Sequence, residues 1–220
     1  MGRLFAASDI HGHGRLLERL LDEAGYDPSA DRLYLLGDYV NKGPDSAATL
    51  ELAHRLGTDG AVALQGNNER KWMDRVPGSA VPDELAAARC QRWITDMPLW
   101  AEHGRFLFVH AGLRPGIPMS EQTPEDLTEI REPFFRAPAI PGKTVVFGHT
   151  STSRFGLDPG DVWVGDGKLG IDTGAGHGFF LSLIELTEGR QWSVPVSPPY
   201  VVRLVRLPAA FAKLANGWRE

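Results

Sequence analysis

The chain has 220 residues, 42% apolar and 23% charged, with a net charge of −5. That length supports one domain with a real core, and the weakly acidic balance gives no electrostatic case for nucleic acid or a membrane surface as partner. The lone cysteine, Cys90, excludes an internal disulfide and favours a reducing, cytoplasmic setting.

The apolar stretch from Leu4 to Ala7 is too short for a secretory segment and runs straight into Asp9. No stretch is long enough to span a bilayer. Leu4 to Ser8 predicts a buried strand. Leu16, Leu17, Leu20 and Leu21 recur at helical spacing, so a helix is expected over Arg15 to Ala24. Arg32 to Leu36 predicts a second strand, and Asp45 to Leu56 a helix with Asp45 and Ser46 as N-cap residues. Ala61 to Leu64 predicts a third strand, with another helix beginning near Asn68. Further helices are expected over Pro82 to Thr95 and around Glu125 to Ile130. Strands are expected over Arg105 to Val109, Thr144 to Phe147, Lys168 to Asp172, Phe179 to Leu186, Gln191 to Val194 and Val201 to Val205. A short helix ending near Trp218 closes the chain. A β-α-β-α-β opening followed by a strand-rich half predicts an α/β fold in which two packed sheets are flanked by helices. No composition shift, linker or repeat divides it, so residues 1–220 read as a single domain.

Five short polar motifs each follow an apolar strand: Ser8-Asp9-Ile10-His11-Gly12, Gly37-Asp38, Gly66-Asn67-Asn68-Glu69, His110-Ala111-Gly112 and Gly148-His149-Thr150. In layered α/β proteins the carboxyl ends of strands are where such loops converge. Asp9 and His11 are two apart on an extended segment and can face one ion. Asp38 offers a carboxylate that could bridge two ions, Asn67 an amide oxygen, and His110 and His149 imidazole nitrogens. Mixed nitrogen and oxygen donors suit manganese, iron or zinc better than magnesium or calcium. Paired metals of this kind are used mainly to hydrolyse phosphate esters.

The same residues carry a resemblance. The chain resembles the calcineurin-like metallophosphoesterases, and within them the bacterial phosphoprotein (serine/threonine) phosphatase branch. That branch carries Gly-Asp-x-His-Gly, Gly-Asp-x-x-Asp-Arg-Gly, Gly-Asn-His-Glu, His-Ala-Gly and Gly-His-Thr. Gly43-Pro44-Asp45-Ser46 is similar to a loop of the related dinucleoside tetraphosphatases. The resemblance implies a two-sheet α/β sandwich and two divalent ions, manganese first with iron or zinc as alternatives. It places one ion on Asp9, His11 and Asp38, and the second on Asp38, Asn67, His110 and His149. It implies a hydroxide bridging the ions as nucleophile, and Lys42 and Arg131 as phosphate-binding groups. The implied partner is a phosphorylated substrate: a phosphoprotein, a nucleotide or a small molecule.

Three positions depart from the family pattern. Lys42 replaces an arginine and loses its two-pronged contact. Asn68 stands where the family has its general-acid histidine, and Asn41 stands where it has the orienting aspartate. Asn68 can still donate a hydrogen bond to a phosphate oxygen, but it cannot protonate a leaving group. The first expectation is a phosphomonoesterase of the serine/threonine type. The alternatives are a dinucleoside polyphosphate hydrolase, whose leaving group needs the proton less, and an impaired or engineered phosphate binder. His13 and His177 are substitute-acid candidates of lower rank, and His54 and His103 read as surface residues. Asp166 reads as a structural turn residue and Asp172 as a supporting or turn carboxylate. Trp72, Trp93 and Trp100 read as core or rim.

Overall fold

The computed structural model describes residues 2–75 and 91–215. In chain order the first elements are β1 (Leu4–Ala7), α1 (Gly14–Ala24), β2 (Arg32–Leu35), α2 (Ser46–Thr58), β3 (Val62–Ala63) and α3 (Asn67–Arg75). A helical stretch over residues 91–96 (α4) follows, then β4 (Trp100–His103), β5 (Phe106–Val109), α5 (Pro124–Glu129), α6 (Glu132–Arg136) and β6 (Thr144–Phe147). The remainder is β7 (Trp163–Gly165), β8 (Lys168–Gly170), β9 (Phe180–Glu185), β10 (Arg190–Pro195), β11 (Arg203–Arg206) and α7 (Ala209–Ala215). The expected Pro82–Thr95 helix is described only from residue 91. Cys90, Trp218 and the side chain of Trp72 lie outside the described residues.

Side chains alternate across the strands, and both faces are buried. On β1, Leu4 and Ala6 enter the layer between the sheets, while Phe5 and Ala7 pack with Leu17 and Leu20 of α1. On β5, Phe106 and Phe108 face inward, whereas Leu107 and Val109 join Leu127 and Phe134 on the outer face. The result is helix, sheet, sheet, helix. Among the described residues one sheet runs β11-β10-β9-β1-β2-β3 and the other β4-β5-β6-β8-β7. Strands β1, β2 and β3 are parallel, as are β5, β6 and β8.

The two-sheet α/β architecture expected from sequence is the one observed, but the sheets do not divide the chain into halves. β9 returns to pair antiparallel with β1, Leu183 opposite Ala7, so the first sheet is completed by the last strands. β4, β7 and α6 were not expected from the sequence. The first two are short, antiparallel to their single neighbours and partly exposed, so no apolar alternation announces them. The last strand begins two residues later than expected. The Asp45 cap is as expected, accepting from Ala48 N–H at 2.9 Å. No helix among the described residues is long and apolar enough to cross a membrane.

The inter-sheet layer is anchored by the stacked rings of Tyr34 and Phe108, with centroids 4.0 Å apart. Phe108 is fully buried. Phe108→Ala should therefore lose about 3–5 kcal/mol of stability, read as a lower midpoint in urea unfolding. A loss below about 1 kcal/mol would mean that the two sheets do not depend on this contact.

Candidate metal centre

All five motifs stand at the carboxyl ends of parallel strands. Asp9 and His11 follow β1, Asp38 follows β2 and Asn67 follows β3. His110 and His149 come from the other sheet, after β5 and β6. The structure brings these six side chains together. Asp9, His11 and Asp38 form one group, and Asp38, His110 and His149 a second, with the donor atoms of each within 4.8 Å of one another. Asp38 belongs to both: its Oδ2 lies 3.5 Å from His11 Nε2 and its Oδ1 3.5 Å from His110 Nε2.

The rest of each side chain is tied back to the fold. His11 Nδ1 pairs with the Val40 carbonyl at 3.0 Å and His110 Nδ1 with the Leu36 carbonyl at 2.7 Å, so both rings present Nε2 to the centre. Carbonyl partners on the outer nitrogen are the usual means of orienting a ligating histidine. Asp9 Oδ2 accepts from Ser8 Oγ at 2.6 Å and from His149 N–H at 2.8 Å, leaving Oδ1 turned toward His11. Gly148 makes the cross-sheet link possible, since a Cβ there would collide with Ser8 Oγ and Asp9 Oδ2.

Backbone conformation marks the same place. Left-handed φ values are uncommon outside glycine and cost roughly 1–2 kcal/mol each. Among the described non-glycine residues the positive values belong to Asp9 (53°), His11 (45°), Asp38 (57°), Asn41 (68°), Lys42 (66°) and His149 (63°). All six lie in the loops that build the centre. Strain of this kind persists only where its surroundings enforce it.

One enforcing group was quoted in a motif but given no role from sequence. Glu69 is fully buried, and its carboxylate accepts from four backbone N–H groups. Oε2 takes Asp38 N at 2.8 Å and Gly66 N at 2.9 Å, while Oε1 takes Tyr39 N at 2.8 Å and Val40 N at 3.2 Å. Burial and the charge of Asp38 push its pKa up to about 7. A second missed residue is Gly176, where a Cβ would meet the His11 ring and the Lys42 stem.

The donor set fits divalent cations. One amide atom of Asn67 lies 3.0 Å from His110 Nε2, 3.1 Å from His149 Nδ1 and 3.3 Å from Asp38 Oδ1. Nitrogen in that position would donate to these acceptors, and oxygen would then accept from Lys71 Nζ at 3.1 Å. Oxygen in that position makes four lone-pair groups converge, which a cation satisfies. Burial, aided by His110 and Arg131, pushes the His149 pKa down to about 3, so its ring is neutral and able to ligate. His149 Nε2 is buried without a hydrogen-bond partner among the described residues. Burial opposes ionisation of Asp38, but the neighbouring His110 and His11 rings and hydrogen bonds from Asn68 hold its pKa below the usual carboxylate value.

Asn68 and Asn41 form a linked pair. Asn41 Nδ2 donates to Asn68 Oδ1 at 3.0 Å, and Asn68 Nδ2 donates to Asp38 Oδ2 at 2.5 Å. Lys42 Nζ reaches to 3.1 Å from His11 Nε2. Arg131 is half-buried beside α6, and its side chain makes no hydrogen bond or ion pair to another described residue, unlike a solvated helix arginine. Burial and the charge of Arg154, a second guanidinium near Arg131, lower its pKa. No motif singles out Arg154.

His13 is half-buried and His177 exposed, and neither belongs to the two donor groups. Asp172 is buried and accepts from Gly174 N–H at 2.9 Å. Asp166 accepts from Ala139 N–H at 3.0 Å in the β7–β8 turn. His54 is exposed. His103 is half-buried, because its Nδ1 lies 3.4 Å from Tyr34 Oη. Trp93 packs at the edge of the core, and Trp100 is on the rim.

With this geometry the chain belongs to the calcineurin-like phosphoesterase family, whose model matches residues 2–168. It is 39% identical over 129 residues to a symmetrical bis(5'-nucleosyl)-tetraphosphatase of Aromatoleum aromaticum, a match covering 51% of this chain and 45% of that protein. The Vibrio cholerae protein of the same name is 33% identical over 121 residues, covering 50% and 45%. The chain thus matches under half the length of these curated relatives. A solved structure provisionally described as a diadenosine tetraphosphatase superposes with a TM-score of 0.71 at 24% identity, covering 94% of this chain and 95% of the other. A Saccharomyces cerevisiae serine/threonine phosphatase shares the fold, with a TM-score of 0.62 at 14% identity and coverage of 94% and 82%.

Replacing Glu69 by glutamine keeps the shape but sets an NH₂ group against two backbone N–H donors. Glu69→Gln should weaken manganese binding about 10- to 100-fold, measured by calorimetric titration. Unchanged affinity would show that the Asp38 loop holds its conformation without this carboxylate.

Proposed function

We propose that residues 1–220 act as a single metallophosphoesterase domain that hydrolyses a phosphoanhydride of a dinucleoside polyphosphate at a dinuclear centre. The observation that carries the reading is Asp38, whose two oxygens face separate donor groups at equal distances of 3.5 Å. Asp9 and His11 would hold one ion with Asp38, and Asn67, His110 and His149 the other. Mixed donors favour manganese, with iron or zinc as alternatives. Bound ions of this type lower the pKa of water toward neutrality and neutralise charge on the phosphoryl oxygens.

The chain's own groups do the rest. Lys42, Arg131 and Arg154 bring cationic charge to the polyphosphate and orient it. Asn68 offers an amide donor to a phosphoryl oxygen, and Asn41 keeps that amide turned toward the centre. Neither asparagine can deliver a proton. Hydrolysis of a dinucleoside tetraphosphate at its central bridge consumes one water and yields two nucleoside diphosphates. The departing diphosphate is a stable anion and needs no proton, whereas a serine alkoxide does. The relatives named as symmetrical tetraphosphatases support the same choice. The anhydride therefore ranks ahead of the serine/threonine phosphomonoester as substrate.

With manganese, turnover of a dinucleoside tetraphosphate should exceed that of a phosphoserine peptide, with nucleoside diphosphate as the nucleotide product. Equal or faster turnover of the peptide overturns the reading. Asp38→Ala should abolish both activities. The double variant Asn41→Asp, Asn68→His should raise peptide turnover by about 10²- to 10⁴-fold while changing anhydride turnover far less.

A further inference from the structure

A groove of about 640 Å³ has Gly12, the residue after His11, in its lining, and none of the chemistry above uses it. His13 and Leu16 wall it from the α1 side, Pro44 and Leu52 from the α2 side, and Val196 and Tyr200 from the segment after β10. Its volume is that of a small-molecule site rather than an extended interface.

Both inner walls continue directly from the centre. His13 is two residues past His11, and Pro44 two residues past Lys42, so each wall begins within about 7 Å of chain from the site. The two loops are locked side by side, Gly12 N–H donating to the Tyr39 carbonyl at 2.8 Å and Asp45 N–H to the Gly12 carbonyl at 3.2 Å. The far wall is connected as well. Val196 N–H donates to the Phe179 carbonyl at 2.9 Å, and Phe179 closes the loop whose Gly176 lies against His11 and Lys42.

The lining has three kinds of group. Tyr200 is 43% exposed and offers an aromatic face. Leu16 and Leu52 are aliphatic. Arg15 and Glu51 also line the groove, and neither has an ion pair among the described residues, whereas Arg55 is taken up by Glu18 at 2.5 Å. A planar base stacks on an aromatic ring, a free carboxylate accepts from ribose hydroxyls or an exocyclic amine, and a cation suits phosphate. We propose that this groove binds one nucleoside of a nucleoside polyphosphate whose phosphates lie on the metal centre. This rests on the phosphoanhydride reading above only for the direction in which the phosphates run.

Calorimetric binding of ADP and of inorganic pyrophosphate to the manganese-loaded protein tests it. The parent should bind ADP at least about ten-fold more tightly than pyrophosphate. Tyr200→Ala, and Ala48→Trp which fills the groove, should each erase most of that difference. Tyr200→Phe should keep it, and pyrophosphate affinity should be the same throughout. No preference for ADP in the parent, or a preference unchanged in both Tyr200→Ala and Ala48→Trp, overturns the proposal. If Tyr200→Ala loses pyrophosphate binding as well, Ala48→Trp decides. Hydrolysis is scored separately. A Tyr200-dependent ADP preference without dinucleoside tetraphosphate cleavage leaves the groove standing and removes the hydrolase reading, and cleavage with no such dependence does the reverse.

Discussion

The carboxylate of Glu69 sits where water does not reach and takes hydrogen bonds from the N–H groups of Asp38, Tyr39, Val40 and Gly66. Those four donors belong to two loops that leave neighbouring strands. Holding them on one anion fixes the left-handed turn at Asp38 and sets Gly66 against it, so the carboxylate of Asp38 has a single place to go. His11 N–H then donates to the Asp38 carbonyl at 2.9 Å, which brings the first loop into line. The other sheet is joined through His110 Nδ1 and the Leu36 carbonyl, and through His149 N–H and Asp9. Removing any one of these links leaves a buried polar group unpaired, at a cost of about 1–3 kcal/mol. The strained backbone is thus held by a network whose members satisfy one another.

Much of this was legible in the sequence because strand ends are local signals. Asp9, Asp38 and Asn67 each terminate a short apolar run, and the structure gathers them where parallel strands end. The sheet partners were not legible. Nothing in Phe180 to Glu185 says that it lies against Leu4 to Ala7, because pairing across such a separation is decided by packing on both faces. Glu69 shows a different limit. Its place in the Gly-Asn-Asn-Glu run is visible, but its role comes from backbone donors, which carry no side-chain signature. Arg154 and Gly176 were missed for similar reasons. One stands on an isolated turn, and the other matters only for what it omits.

The paired asparagines set the character of the site beside Asp38. An acidic side chain at position 41 with a neutral partner at 68 would set an uncompensated negative charge beside a phosphate dianion. With amides at both positions, Asn41 and Asn68 carry no charge where they link to Asp38. They orient by hydrogen bonds alone and have no proton to exchange in the neutral range. On the proposed reading, such a site suits anions that depart unaided and disfavours alkoxides.

The antiparallel return of β9 onto β1 has a consequence for how the protein is made. Strand β1 and the loop bearing Asp9 and His11 precede β2 in the chain, and β2 covers one edge of β1. Its other edge stays unpaired until residues 180–185 are synthesised. Between the synthesis of β2 and that of β9 the nascent chain therefore exposes an apolar edge of Leu4, Phe5, Ala6 and Ala7, the kind of edge that pairs with other chains. Strand β9 completes the sheet that carries Asp9 and His11, so the assembly of that sheet waits for the synthesis of β9.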